Sequence, residues 1–98
     1  MSRKQFTYAY YRPGDFIQRQ GEPARFFSII EEGEVEILRT TPQNPEANVL
    51  AVLGKGDFFG ETALLENRPY ETSVGARSAV RLRQAGSALF SQIGNFAP

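Results

Sequence analysis

The sequence predicts a mainly β fold, an all-β sandwich or barrel, on two observations. Turn residues recur about every ten residues and separate short apolar segments, which is typical of such folds. The tripeptide Gly-Asp-Phe also occurs twice, at 14–16 and 56–58, each time where a turn leads into a strand. A jelly roll built from two related halves would bring these two copies near a pseudo-twofold axis.

Length and composition are those of one small domain. The chain has 98 residues, of which 41% are apolar, and this is enough for a single modest core. No apolar segment approaches the roughly 20 residues that a membrane-spanning helix needs. The N-terminal residues are basic but are not followed by an apolar run, so no secretory signal is expected. We therefore expect no membrane contact by this segment.

Charge and residue usage exclude several function classes. Eleven basic and eleven acidic residues are interspersed and give a net charge of zero, which argues against a nucleic-acid partner. The absence of cysteine excludes disulfides and fits a reducing compartment, so a cytoplasmic location is expected. The absence of histidine removes the commonest general base and metal ligand, and it disfavours a metal-dependent cupin. We expect a binding or regulatory module with no catalytic residues, metal or cofactor.

Alternating apolar residues and turn signals predict the individual elements. Strands are predicted at 6–11, 16–17, 26–30, 34–38, 49–53, 73–76 and 79–83. Residues 41–48 hold two prolines and no large apolar residue, and they are predicted to form an exposed hairpin loop. A short amphipathic helix is predicted from Ser87 to Ile93. The aromatic residues expected in the core are Phe6, Tyr8, Tyr10, Phe26, Phe27, Phe58 and Phe59.

The stretch 58–74 carries the strongest functional pattern. Gly54, Gly56 and Gly60 allow the backbone to approach a ligand closely, since they have no Cβ. One helical turn is predicted at 62–65, ended by Pro69, before the chain returns to a strand. The free N–H groups and positive dipole end of this turn point toward an anion site. The stretch therefore predicts a small anionic ligand, held by its phosphate and a neighbouring hydroxyl.

This order of residues resembles the phosphate-binding cassette of cyclic nucleotide-binding domains. The matching residues are Phe59, Gly60, Glu61, Ala63, Leu64, Leu65, Pro69, Ser73 and Val74. Residues 11–17, 21–24 and 33–37, together with Phe27, resemble the early strands of the same family. The resemblance implies a double-stranded β-helix (jelly-roll) barrel with a short cassette helix and a C-terminal helix. It also implies that 1–98 is one domain, a sensor core that is cut from a larger protein or lacks its output helices.

The resemblance implies a ligand site formed by Gly60, Glu61, Thr62, Ala63, Arg68, Tyr70, Glu71 and Thr72. In this reading the Glu61 carboxylate accepts hydrogen bonds from a ribose 2′-hydroxyl, and backbone N–H groups of Gly60, Thr62 and Ala63 contact the ligand. Tyr70 stands where the family has the arginine that pairs with the cyclic phosphate, and Glu71 stands where a small residue is usual.

Each of these side chains also has a purely structural interpretation. Glu61 is also suited to complementing the positive end of the helical turn. Tyr70 fits an aromatic plug or a surface residue in a degenerate pocket as well as a phosphate donor. Arg68 either substitutes for the missing cation or remains a solvated arginine. Gly60 is needed for the bend whether or not a ligand binds.

The function that the resemblance implies is regulatory. The domain would bind cAMP, cGMP or a related small anion and control an attached domain of the same polypeptide. The alternative is an interaction module that keeps the jelly roll but no longer binds cyclic nucleotides. An enzyme ranks last, because only carboxylates and hydroxyls are available for chemistry. The choice of base and the formation of a homodimer stay open.

Replacing Tyr70 with arginine is expected to raise the affinity for cyclic nucleotides about tenfold or more. A guanidinium adds a charge and a bidentate hydrogen-bonding fork that a phenol lacks. Titration calorimetry with cAMP and cGMP measures the change. An unaltered affinity would mean that Tyr70 does not face the phosphate.

Overall fold

The computed structural model describes residues 6–86, which form eight strands and one short helix. The strands are β1 (Thr7–Tyr11), β2 (Phe16–Gln18), β3 (Phe27–Glu32), β4 (Val35–Thr41), β5 (Asn44–Leu53), β6 (Phe58–Phe59), β7 (Ser73–Ala76) and β8 (Val80–Ala85), and the helix is α1 (Glu61–Glu66). The mainly β class is confirmed, and each predicted strand has an observed counterpart. No helix in the described range is long and apolar enough to cross a membrane.

The strands form two four-stranded sheets with antiparallel pairing throughout. The first sheet has the order β1-β8-β3-β6 and the second has the order β2-β7-β4-β5. The jelly-roll prediction is confirmed, but the closed barrel is wrong, because the strands divide into two open sheets. Two of the sheet edges are short, with three residues in β2 and two in β6, and they offer few backbone groups for pairing beyond their own sheet.

The core lies between the two sheets and is mostly aliphatic. Val35 and Val74 of the second sheet and Leu82 of the first have no exposed surface. These residues point inward because successive side chains of a strand alternate between its two faces. The remaining buried members of this cluster are Ile17, Ile30, Phe59, Ala76 and Val80.

The two halves of the chain occupy equivalent positions in the two sheets. If each of β1–β4 is exchanged with the strand four places later in the chain, the order of the first sheet becomes the order of the second sheet read from its opposite edge. The two Gly-Asp-Phe copies lead into the equivalent strands β2 and β6, which begin at Phe16 and Phe58. In the first turn the Asp15 carboxylate accepts a hydrogen bond of 2.8 Å from Arg12 N–H, and in the second the Asp57 carboxylate accepts one of 2.9 Å from Gly54 N–H. The repeated tripeptide therefore marks a real structural repeat.

The same symmetry relates the connections that follow these strands. The first turn exchanges two backbone hydrogen bonds of 2.8 Å with Ala76 in β7, and the second exchanges two of 2.8 and 2.9 Å with Ile30 in β3. The segment between β2 and β3 (the 19–26 connection) is thus equivalent to the segment between β6 and β7 (the 60–72 connection). Only the 60–72 connection contains a helix.

The prediction of a loop at 41–48 is wrong, because most of this segment is strand. Its predicted exposure is confirmed, since the segment is largely exposed. Only residues 42–43 form a turn, and β5 begins at Asn44. Pro45 lies within β5 because this strand is at a sheet edge, where a missing backbone N–H breaks no essential hydrogen bond. The register between β4 and β5 also shifts in this region, between Arg39 and Thr41.

The expected aromatic core is only partly correct. Phe27 and Phe59 are buried, but Tyr8, Tyr10 and Phe58 are more than half exposed. The two tyrosines lie on edge strand β1, opposite arginines of β8, on a face of the sheet that is not packed against the core. Alternation therefore predicted the strand correctly but not which of its faces is buried. The predicted helix from Ser87 to Ile93 lies outside the described residues.

Replacing Gly33 with alanine is expected to destabilise the fold more than replacing Gly14. Both glycines have positive φ, 95° and 92°, which costs an L side chain about 1–2 kcal/mol. At Gly33 a Cβ would also lie 2.2 Å from the Ala79 carbonyl oxygen, whereas at Gly14 it would meet nothing within 4 Å.

Urea unfolding followed by circular dichroism compares the two variants. We expect the Gly33 variant to lose at least about 1 kcal/mol more free energy of unfolding than the Gly14 variant. Equal losses would contradict the close approach of Ala79.

Candidate functional site

A recess of about 290 Å³ opens between the 60–72 connection and the strands beside it. All eight predicted ligand-binding residues line it: Gly60, Glu61, Thr62, Ala63, Arg68, Tyr70, Glu71 and Thr72. Five further lining residues were not predicted as site residues: Gln18, Ile37, Leu53, Phe58 and Phe59. The predicted residues are therefore brought together, while their contacts with a ligand stay a prediction.

Gly60 is required where the chain enters α1. Its φ is 87°, and a Cβ at this position would lie 3.2 Å from both the Gln18 side-chain oxygen and the Phe26 carbonyl oxygen. Gly54 and Gly56 were also expected to bring backbone toward a ligand, but they belong to the turn before β6 and do not line the recess. Only Gly60 therefore combines a left-handed backbone with a position at the site.

Helix α1 is longer than predicted and ends earlier than the proline. It runs over Glu61–Glu66, and Asn67 ends it in a left-handed conformation with φ of 57°. The N–H of Arg68 then bonds the Ala63 carbonyl at 2.9 Å, which is a common way to close a helix C-terminus. Pro69 follows this cap, so it is Asn67 that ends the helix.

Glu61, in the first turn of α1, is half-buried and lines the recess. Within residues 6–86 its carboxylate makes no hydrogen bond or ion pair, and no side chain caps the start of the helix. Both carboxylate oxygens are therefore available to accept hydrogen bonds from a hydroxyl group in the recess.

Arg68 is the only cationic side chain among the described residues that line the recess. Its guanidinium forms an ion pair of 3.1 Å with Glu66 and a second ion pair with Glu71. All three side chains are about half exposed, so each pair contributes little to stability, about 0–1 kcal/mol. Arg68 is thus neither free nor simply solvated; two carboxylates share its charge.

Tyr70 is buried and joins the two equivalent connections. Its hydroxyl donates to the Phe26 carbonyl at 2.9 Å and accepts from Arg25 N–H at 3.3 Å. Its backbone accepts from Gly21 N–H and donates to the Glu22 carbonyl, both at 2.9 Å. A hydrogen bond from this hydroxyl to a phosphate would require it to leave Phe26. The structure thus favours the interpretation of Tyr70 as an internal aromatic residue, and it adds hydrogen bonds to the 19–26 connection that the sequence did not indicate.

All five unpredicted lining residues lie in strands. Gln18 in β2 is buried and donates its side-chain N–H to the Thr72 carbonyl at 3.3 Å, which ties β2 to the end of the 60–72 connection. Ile37 and Leu53 add apolar surface from β4 and β5. Only Phe58 and Phe59 carry a signal in the sequence, since they directly precede Gly60.

The charges of the recess are unbalanced. Two carboxylates, Glu61 and Glu71, and one guanidinium, Arg68, line it in the described part of the chain. The lining therefore carries a formal charge of about −1, which opposes an anion unless Arg68 turns from a carboxylate to the ligand.

Comparison with known proteins links this arrangement to one family. The family model for the cyclic nucleotide-binding domain matches residues 8–95. The chain is 32% identical over 83 residues to a cAMP-dependent protein kinase regulatory subunit of Blastocladiella emersonii, which covers 85% of this chain and 20% of that protein. It is 38% identical over 91 residues to a cGMP-dependent protein kinase of Toxoplasma gondii, covering 92% of this chain and 9% of that protein.

Solved structures give the same result. The regulatory domain of Toxoplasma gondii PKA, crystallised with cAMP, matches with a TM-score of 0.86 and 25% identity over 92% of this chain and 35% of that one. The EAL enzyme Bd1971 in its cAMP-bound form matches with a TM-score of 0.84 and 29% identity over 94% of this chain and 24% of that one. The chain spans a fifth or less of the two kinase relatives.

Replacing Tyr70 with phenylalanine is expected to lower the free energy of unfolding by about 1–3 kcal/mol. The change removes the donor to the Phe26 carbonyl and leaves that group without its partner. Tyr10→Phe is the matched control, since Tyr10 is 72% exposed and its hydroxyl bonds nothing within the described residues. Urea unfolding measures both variants, and equal stability of the two would contradict the role of the Tyr70 hydroxyl.

Proposed function

The chain belongs to the cyclic nucleotide-binding domain family, and from this premise we propose that it is a regulatory domain that binds a cyclic nucleotide, cAMP or cGMP, in the recess. The observation that carries the proposal is the carboxylate of Glu61, which has no partner among residues 6–86 and lines a recess together with the rest of the predicted cassette. This segment is a binding domain and not an enzyme. The similarity to kinase regulatory subunits supports a regulatory role.

The ligand would be held by three kinds of contact. Glu61 accepts hydrogen bonds from the ribose hydroxyl, which is a charge-assisted interaction worth about 1.5–3 kcal/mol. Arg68 pairs with the cyclic phosphate. Ile37, Leu53 and Phe58 offer apolar contact to the purine base from the strand side of the recess. This combination of an apolar wall with a few polar groups is typical of small-molecule sites.

Binding would be reported to an attached domain of the same polypeptide. The relatives that match include a protein kinase regulatory subunit and an EAL enzyme, in which the matching segment is a minor part of a longer chain. A ligand shifts such a protein between two states only by its difference in affinity for them. The 60–72 connection supplies most of the lining, so it is the segment whose conformation a ligand would select.

Titration calorimetry with cAMP and cGMP tests the proposal. A dissociation constant in the micromolar range or below supports the sensor. No binding at millimolar ligand would favour an interaction module, the second candidate. That candidate is favoured by the pairing of Arg68 with two carboxylates, since no unpaired cation lines the recess among the described residues.

Replacing Glu61 with alanine is expected to lower the affinity about tenfold to 100-fold, because the ribose hydroxyl loses its charged acceptor. Glu46→Ala is the control, since it removes the same charge from an exposed position on β5 that does not line the recess. Equal affinities of the two variants would mean that Glu61 does not contact the ligand.

A further inference from the structure

Arg68 has two carboxylate partners that differ in their relation to the recess. Glu71 lines the recess together with Arg68, whereas Glu66, the last residue of α1, does not. The guanidinium uses one terminal nitrogen for each, Nη1 for Glu66 and Nη2 for Glu71. One half of the hydrogen-bonding fork is therefore held outside the recess and the other half at the recess wall.

We propose that Glu71 is an intramolecular competitor for the ligand's phosphate: its carboxylate holds the Nη2 side of Arg68, and a bound phosphate takes its place. This inference rests on the proposed function, because it names the residue that limits anion affinity at the same site. A carboxylate and a phosphate accept hydrogen bonds from a guanidinium in the same planar geometry, so each can replace the other. Glu66 keeps the guanidinium anchored while the exchange takes place.

The position of Glu71 makes it an effective competitor. It directly follows Tyr70, whose backbone is fixed by hydrogen bonds of 2.9 Å to Gly21 and Glu22. The carboxylate is thus tethered close to Arg68, and an attached group has a high effective concentration at its partner. Its side chain is nevertheless 56% exposed, so the ion pair is weak enough for a ligand in solution to break.

The exchange predicts selectivity according to charge. A cyclic nucleotide has to displace Glu71 and also meets the repulsion of its carboxylate, while a nucleoside without phosphate meets neither obstacle. Removing the charge of Glu71 should therefore help an anionic ligand and leave a neutral one unaffected. A purely structural role for Glu71 would change both in the same way.

The test uses Glu71→Gln and titrations with cAMP, cGMP and adenosine. We expect the affinity for cyclic nucleotides to rise about threefold to tenfold, and the affinity for adenosine to stay within about twofold. Glu66→Gln is the matched control, because it removes the same charge and the other partner of Arg68 without changing the recess lining. It should not raise the affinity for cyclic nucleotides.

The double variant Arg68→Gln/Glu71→Gln identifies the route of the effect. If Glu71 acts mainly through Arg68, the gain from Glu71→Gln measured against Arg68→Gln alone should be clearly smaller than the gain measured in the unmodified chain, because only the direct charge repulsion is then relieved. This is the non-additivity expected of coupled residues. Thermal unfolding of each variant checks that the fold is retained, and the exposed position of these side chains predicts small shifts.

The outcomes separate this inference from the proposed function. Binding of cyclic nucleotides by the unmodified chain with no gain in Glu71→Gln overturns the inference and leaves the proposed function standing. Binding only after the change supports the competitor and refutes cyclic nucleotide sensing by the natural chain. A gain that is as large in the Arg68→Gln background as in the unmodified chain, or an equal gain with adenosine, overturns the inference. No binding by either protein at millimolar ligand overturns both.

Discussion

At the recess, the structure depends on the hydrogen bonds that join the two equivalent connections of the fold. The 19–26 connection and the 60–72 connection meet in an isolated antiparallel bridge between Pro23 and Pro69. Prolines have no backbone N–H to contribute, so the hydrogen bonds come from the neighbouring residues, and Tyr70 supplies most of them with its backbone and its hydroxyl. This tie acts together with the packing of Leu64 and the hydrogen bond from Gln18 to Thr72 to position the 60–72 connection.

Tyr70 also links the internal structure of this site to its proposed affinity for a cyclic nucleotide. Position 70 is where the family resemblance would have an arginine directed at a phosphate, and this chain has a buried phenol there. A phenol satisfies backbone groups inside the protein at low cost, whereas a guanidinium needs solvent or an anion. The substitution therefore shifts hydrogen bonding from the ligand to the scaffold. Arg68 is then the cation that lines the recess in the described part of the chain, and its carboxylate partners decide how available it is.

Much of the site was predictable because it is local in sequence. The 60–72 connection is continuous, so a glycine, a helical turn and a proline in order predicted an anion site there, and the family resemblance implied the residues from Glu61 to Thr72 that line the recess. Turn spacing predicted the all-β class, and the family resemblance implied the jelly roll. The repeated tripeptide, whose aspartates make the same hydrogen bonds in both turns, supported a fold of two related halves. Turn chemistry of this kind depends on few residues and is therefore visible in the sequence.

The parts that were missed depend on contacts between distant segments. Gln18 joins the recess from a strand far from the cassette in sequence, and nothing near it marks a buried polar residue. The acceptor of the Tyr70 hydroxyl is a backbone carbonyl, at Phe26, and a backbone group leaves no trace in residue identity. Residues 44–48 were missed as strand for a different reason. Their composition is that of a loop, and only pairing with β4 makes them extended.

The route from the recess to the end of the described chain is short. Ala63 lines the recess from α1, and the next residue, Leu64, is buried on Phe27 of β3 and Ala85 at the end of β8. Packed interiors leave few gaps, so under the proposed function a displacement of α1 would require the residues packed on Leu64, including Ala85, to shift as well. Gly86 follows at once, and a Cβ added there would lie 3.4 Å from the Arg25 carbonyl oxygen in the 19–26 connection. The C-terminal end of β8 therefore packs with α1 through Leu64 and lies beside the connection tied by Tyr70, so under the proposed function it is the described segment outside the recess that is best placed to respond to a change at either.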